Sequence, residues 1–226
     1  MPTPDALPLK VEVPHAGDVS ALLMAPADAT ACYVFAHGAG AGMAHSFMAA
    51  LASELAQRGI ATLRYQFPYM ESGSKRPDSP AVAQAAVRAA VAEARRRLPA
   101  LPLFAGGKSF GGRMTSQAQA ASPLEGVRGL VFVGFPLHPA GKPGAERATH
   151  LAQVQCPMLF LQGSRDALAD LSLLQGALAP LGDRATLSVF GDADHAFHVR
   201  ARSGTTDAAT LTALADAMAE WVASLR

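Results

Sequence analysis

Three residues of this chain, Ser109, Asp166 and His195, have the types and the order of a nucleophile, its acid and its base. Serine is a weak nucleophile at its own pKa. It attacks an acyl carbon when a neighbouring imidazole takes its proton, and the imidazole in turn needs a carboxylate to fix its tautomer and stabilise the imidazolium that forms. Ser109 stands in Gly107-Lys108-Ser109-Phe110-Gly111, a G-x-S-x-G pattern. A serine raised on a sharp strand-to-helix turn has a strained backbone and needs small neighbours two residues to either side, which Gly107 and Gly111 provide. The apolar run Leu103 to Gly107 reads as the strand leading in, and the segment from Phe110 as the helix leading out. That turn sets Ser109 at a helix N-terminus, where free N–H groups and the positive end of the dipole favour a developing oxyanion.

Gly107-Lys108-Ser109 is also the tail of a phosphate-binding P-loop, but that motif requires a glycine five positions earlier, where this sequence has Pro102. Asp166 follows the strand candidate Met158 to Gln162 through Gly163-Ser164-Arg165. His195 follows the strand ending at Phe190 through Gly191-Asp192-Ala193-Asp194. Asp170 competes for the acid, yet it precedes the helix carrying Leu171, Leu174 and Leu178 and is placed to cap it. His198 is the rival base and lies three residues further on, past the loop tip. Asp192 and Asp194 read as turn residues. Asp194, His195 and His198 would also suit a metal, but no compact two-histidine helix motif is present and none is expected to bind. His37-Gly38-Ala39-Gly40-Ala41-Gly42 follows the strand Ala31 to Ala36, a loop of small residues that lets backbone N–H groups approach a substrate oxygen. The expected oxyanion donors are the N–H groups of Ala39 and Phe110, with Gly40 as the register-shifted alternative, and His37 is read as a hydrogen-bonder supporting the loop.

The elements that position these residues alternate between strand-like and helix-like runs, the signature of a mainly parallel sheet with crossover helices, hence an α/β fold. Strands are expected at Ala31 to Ala36, Ile60 to Tyr65, Leu103 to Gly107, Leu130 to Gly134, Met158 to Gln162 and Thr186 to Phe190. Lys10 to Val13 and Ser20 to Met24 form an antiparallel edge. Met48, Leu51 and Leu55 recur at helical spacing before Gly59. Ser79-Pro80 opens a helix that closes on Arg95 to Arg97, and Leu211, Leu214, Met218, Trp221 or Val222, and Leu225 form the stripe of a last one.

With 226 residues, half of them apolar, the chain suits a single domain spanning 1–226. Its 19 basic and 18 acidic residues leave a net charge of +1 and no run of like charge, which gives no footprint for nucleic acid or an anionic membrane. Met1 to Lys10 is broken by Pro2, Pro4 and Pro8 and no later run reaches membrane-spanning length, so a cytoplasmic location is expected. Cys32 and Cys156 read as reduced, structural thiols.

His37-Gly38-Ala39-Gly40, Gly107-Lys108-Ser109-Phe110-Gly111-Gly112-Arg113, Phe135-Pro136-Leu137-His138-Pro139 and Asp194-His195 together resemble the bacterial α/β-hydrolases related to the testis-expressed and NSL-complex hydrolase-like proteins. The resemblance covers most of the chain from about residue 30. It implies an α/β-hydrolase core without a lid, of about the size of dienelactone hydrolases, in a family whose members mostly lack an assigned substrate and include eukaryotic interaction subunits. The spacing agrees about the lid, since Phe135 to Pro157 is too short for a full helical cap. The pocket walls are then expected from that segment, including Leu137, from Gly38 and Gly40, and from Gln66 to Ser79, which carries Phe67, Tyr69 and Met70. Such walls suit a small apolar acyl group. Lys108, Arg76 and Arg113 are expected to face water. The reading is a serine hydrolase of carboxylesterase type without a cofactor, acting on a small-molecule acyl substrate as a monomer or homodimer. Amide or peptide hydrolysis, acyl transfer, and a non-catalytic interaction module are its alternatives.

Overall fold

Side chains alternate between two faces along a strand, and here both faces are covered. The computed structural model describes residues 4–225; Met1 and Pro2, part of the stretch read for a leader, lie outside the described residues. A hairpin joins β1 (Leu7–Val13) to β2 (Gly17–Met24). Six further strands, β3 (Ala31–Ala36), β4 (Ile60–Tyr65), β5 (Leu103–Lys108), β6 (Val127–Val133), β7 (Met158–Gly163) and β8 (Ala185–Phe190), run parallel to one another. β2 lies antiparallel to β4, and the sheet order is β1-β2-β4-β3-β5-β6-β7-β8. The helices are α1 (Ser46–Ala56), α2 (Pro68–Glu71), α3 (Pro80–Arg97), α4 (Phe110–Ala121), α5 (Leu171–Leu178) and α6 (Asp207–Ser224). None is long and apolar enough to cross a membrane. The segment between β6 and β7 holds only a short 3₁₀ helix, Glu146–Gln153, so the core carries no cap.

Tyr33 and Phe35 point to one face, where Met48, Leu51 and Leu55 of α1 meet Leu214, Met218 and Val222 of α6. Cys32 and Val34 point to the other, against Ala83, Val87 and Val91 of α3 and Met114 and Ala118 of α4. The chain leaves β3 over one face to reach β4 and returns over the other to β5. β3 and β5 are therefore neighbours at which the winding reverses, and in open α/β sheets a crevice opens at the carboxyl ends of such a pair. The caps read in the sequence are made: the Ser79 side chain accepts from the Val82 N–H, and Asp170 accepts from the Leu173 N–H at 3.0 Å. Burial pushes the Cys32 thiol up to about 12 and the Cys156 thiol up to about 11, and neither is bridged.

Strand β6 starts at Val127, earlier than the apolar run indicates, because Gly129 breaks the hydrophobic pattern. A Cβ there would lie 2.6 Å from Trp221 Cη2. Gly106 is more tightly constrained, since a Cβ would lie 1.8 Å from the Val131 carbonyl oxygen, which already accepts the Tyr33 hydroxyl at 2.9 Å. A backbone atom cannot yield as a side chain tip can. Gly106→Ala is expected to lower stability by about 3 kcal/mol or more, read as the shift in urea midpoint, whereas Gly176→Ala, with open space at its Cβ, leaves the midpoint near its native value.

Candidate active site

Ser109 has φ 50° and ψ −114°, a conformation disfavoured for any residue with a Cβ. Its surroundings hold it there: the Ser109 N–H donates to the Val133 carbonyl at 3.2 Å, and the Arg113 N–H donates to the Ser109 carbonyl at 3.1 Å. The flanking glycines let the turn approach β3. A Cβ on Gly107 would lie 2.5 Å from the Ala36 carbonyl oxygen, and one on Gly111 would lie 2.6 Å from those of both Ala36 and His37. The turn is thus seated directly on the loop that leaves β3.

The Ser109 hydroxyl lies 2.8 Å from His195 Nε2, and His195 Nδ1 lies 2.6 Å from Asp166 Oδ2. A carboxylate oxygen accepts, so Nδ1 carries the proton and Nε2 is free to receive one from the serine. Asp166 is fully buried at its side chain and is held from two further directions. Leu168 N–H donates to Oδ1 at 2.7 Å, and the Gln162 amide donates to Oδ2 at 2.5 Å. Gln162 also accepts from the Phe135 N–H at 2.9 Å. His138 fixes the same loop: its Nδ1–H donates to the Pro139 carbonyl at 2.9 Å and its Nε2 accepts from the Asp170 N–H at 2.9 Å, while its own N–H donates to the Leu168 carbonyl. Asp170 caps α5, Asp194 Oδ1 accepts from the Ala196 and His198 N–H groups, and His198 pairs in solvent with Asp207 at 2.8 Å.

The loop after β3 is supported by His37, which is fully buried. Its Nδ1–H donates to the Gly38 carbonyl at 2.7 Å and its Nε2 accepts from the Phe67 N–H at 3.1 Å. The Gly40 N–H donates to the Tyr69 hydroxyl at 2.8 Å, which removes Gly40 as an oxyanion donor. Among the described residues, the N–H groups of Ala39 and Phe110 have no hydrogen-bond acceptor.

The pocket over Ser109, about 390 Å³, is walled by Gly38, Ala39, Ala41, His45, Phe47, Met48, Lys108, Leu168, His195 and Ala196. Gly40, Phe67, Tyr69, Met70 and Leu137, expected as walls, are not among its lining. Phe67 is fully buried, with its ring 5.2 Å from that of Phe110 and 4.9 Å from that of His37. Tyr69 holds the Gly40 loop from beneath, Met70 packs beside Gly42, and Leu137 is in the core. The physical reason is α2: Glu71 accepts from Lys10 Nζ, the Ser20 hydroxyl and the Ser20 N–H at 2.8–2.9 Å, which draws the segment inward against the sheet. The walls come instead from the start of α1, where Met48 reads in the sequence only as a helix residue and Phe47 carries no signal. Lys108 and Arg113 are half-buried rather than solvated.

Burial holds the His37 imidazole down at about 4, opposed by its bond to the Gly38 carbonyl. An imidazole with a lowered folded pKa binds more protons in the unfolded chain, so its contribution is complete above about pH 6.5 and is lost as pH falls toward 4. His150, held down to about 4 by burial and by Arg113, acts in the same direction. Urea midpoints are expected to fall across this window by the equivalent of about 3 kcal/mol from His37, and His37→Asn flattens the dependence.

Residues 29–223 match the family described as alpha/beta hydrolase domain. Among solved structures, the chain is similar to a dienelactone hydrolase from Anabaena variabilis, at 24% identity and a TM-score of 0.76, with 100% of each chain covered. It is similar as well to an α/β serine hydrolase without lid from Xanthomonas campestris, at 24% identity and a TM-score of 0.74, covering 99% of this chain and 96% of that one. A third likeness is to the esterase domain of a Rhodothermus marinus protein, at 15% identity and a TM-score of 0.72, covering 96% and 97%. With the family matched over residues 29–223 and the fold shared end to end with solved hydrolases, one of them without a lid, this chain belongs to the α/β-hydrolase family.

Proposed function

We propose that the protein is a serine hydrolase of carboxylesterase type that cleaves small acyl esters through an acyl-enzyme on Ser109. The observation that carries this reading is the unbroken chain of hydrogen bonds from the Ser109 hydroxyl through His195 to the buried Asp166. In the proposed reaction His195 Nε2 takes the hydroxyl proton as Ser109 Oγ bonds to the ester carbonyl carbon. The carbonyl electron pair moves onto oxygen, where the N–H groups of Ala39 and Phe110 stabilise it; losing one such donor costs roughly 2.7–4 kcal/mol of transition-state stabilisation. The tetrahedral intermediate collapses, the alkoxide leaves with the proton from Nε2, and water repeats the sequence to release the acid and restore Ser109. These side chains and water supply every atom the reaction uses.

The pocket supports the choice of a small acyl group, because Gly38, Ala39, Ala41, Phe47, Met48 and Leu168 give it mostly short or apolar walls. Ester rather than amide cleavage accords with a pocket of about 390 Å³ over Ser109 in a core without a cap. The names of the Anabaena and Rhodothermus neighbours point the same way.

A fluorophosphonate probe with intact-mass readout tests the reading. One adduct is expected on the native protein, mapping to Ser109, absent from Ser109→Ala and slowed at least 100-fold in His195→Ala. No adduct on folded native protein sinks the proposal. With p-nitrophenyl esters, acetate and butyrate are expected to outrun the dodecanoate, and Phe47→Ala to shift the preference toward longer chains; a preference unmoved by that change removes Phe47 from the acyl wall.

A further inference from the structure

Lys108 occupies the position before the nucleophile, and its side chain turns toward the base rather than toward solvent. Its Nζ donates to the His195 main-chain carbonyl at 2.5 Å, and among the described residues no backbone N–H donates to that oxygen. The ammonium lies 5.4 Å from the centroid of the Phe197 ring, which belongs to the same turn as His195. Space for it exists because Gly134 has no side chain: a Cβ there would lie 3.0 Å from Nζ and 3.5 Å from His195 Cε1 and Nδ1. Asp166 and Asp194 are the carboxylates whose charges favour the ammonium, yet no carboxylate among the described residues is within salt-bridge distance of it.

We infer, resting on the reading of Ser109 as a nucleophile, that Lys108 is a positioning residue: its ammonium clamps the base-bearing turn to the nucleophile turn and so sets the His195 imidazole over Ser109. The imidazole is fixed at both nitrogens only if its backbone is fixed too. Asp194 shapes the turn internally, through the Ala196 and His198 N–H groups, but ties it to no other element. The turn does gain a tie to the loop after β7, where the Arg165 N–H donates to the Ala193 carbonyl at 2.9 Å. Lys108 adds the direct tie between the residue before the serine and the base itself. A packing role alone would be served by an uncharged side chain of the same length, because a half-buried ammonium without a carboxylate partner costs stability. Burial lowers the Lys108 ammonium to about 8, so the unfolded chain holds the proton more firmly and stability is expected to rise, not fall, as pH climbs past that value.

Structure and reactivity are therefore expected to move in opposite directions in Lys108→Met. Its thermal midpoint at neutral pH stays level or rises, while its fluorophosphonate labelling rate and kcat drop roughly 10- to 100-fold with KM little changed. The native labelling rate is expected to lose an increment as pH rises through about 8, where the ammonium discharges. Lys108→Arg, charged at all these pH values, recovers part of the rate and shows no such loss as pH rises through about 8. Lys108→Met labelling at the native rate with a native pH profile overturns the inference alone. A folded native protein that takes no probe overturns it together with the nucleophile reading.

Discussion

The architecture around the site depends on one backbone constraint, the strained turn at Ser109. With φ 50° and ψ −114°, the residue persists only because β5, β6 and α4 hold it from three sides. The absence of side chains at Gly107 and Gly111 then brings α4 down onto the Ala36 and His37 carbonyls. That close approach sets the start of α4 against the loop that leaves β3. The two turns meet because the strands beneath them, β3 and β5, are neighbours where the winding reverses.

Three histidines share one hydrogen-bonding scheme. His37, His138 and His195 each donate from Nδ1 to an oxygen and accept at Nε2 from a donor. In the first two, both partners are backbone groups of loops, and the ring acts as a rigid spacer that satisfies buried polar atoms on two segments at once. In the third the acceptor nitrogen faces a hydroxyl that can give up its proton. The difference between support and chemistry thus lies in the donor at Nε2, a main-chain amide in two cases and a serine in the other.

Ser109, Asp166 and His195 were legible because each follows a strand-length run rich in apolar residues, and chain order sets them on separate loops after β5, β7 and β8. Asp170 was separable from Asp166 by its place before a helix. Phe67, Tyr69, Met70 and Leu137 were misread as walls because aromatic and apolar residues amid glycine and proline look like a loop rim. Their inward turn depends on Glu71 meeting Lys10 and Ser20, partners more than fifty positions away in sequence. The pocket role of Met48 was hidden for the opposite reason: helical spacing marks the buried stripe of α1 but not which end of it faces the crevice, and Phe47 lies off that stripe. Lys108 gave no sign of its partner, since a contact with a main-chain carbonyl leaves no residue-type signature.

The sheet order divides the constellation between two regions of the molecule. Ala39 and Ser109 follow β3 and β5 in the middle, while Asp166 and His195 follow β7 and β8, the latter an outermost strand with a partner on one side only. A chain that has paired its central strands but not this margin carries a strained serine with no imidazole at its hydroxyl. The Ser109–His195 hydrogen bond is therefore a gauge of the integrity of the far rim of the sheet, and fraying there dismantles the constellation while most of its core is intact.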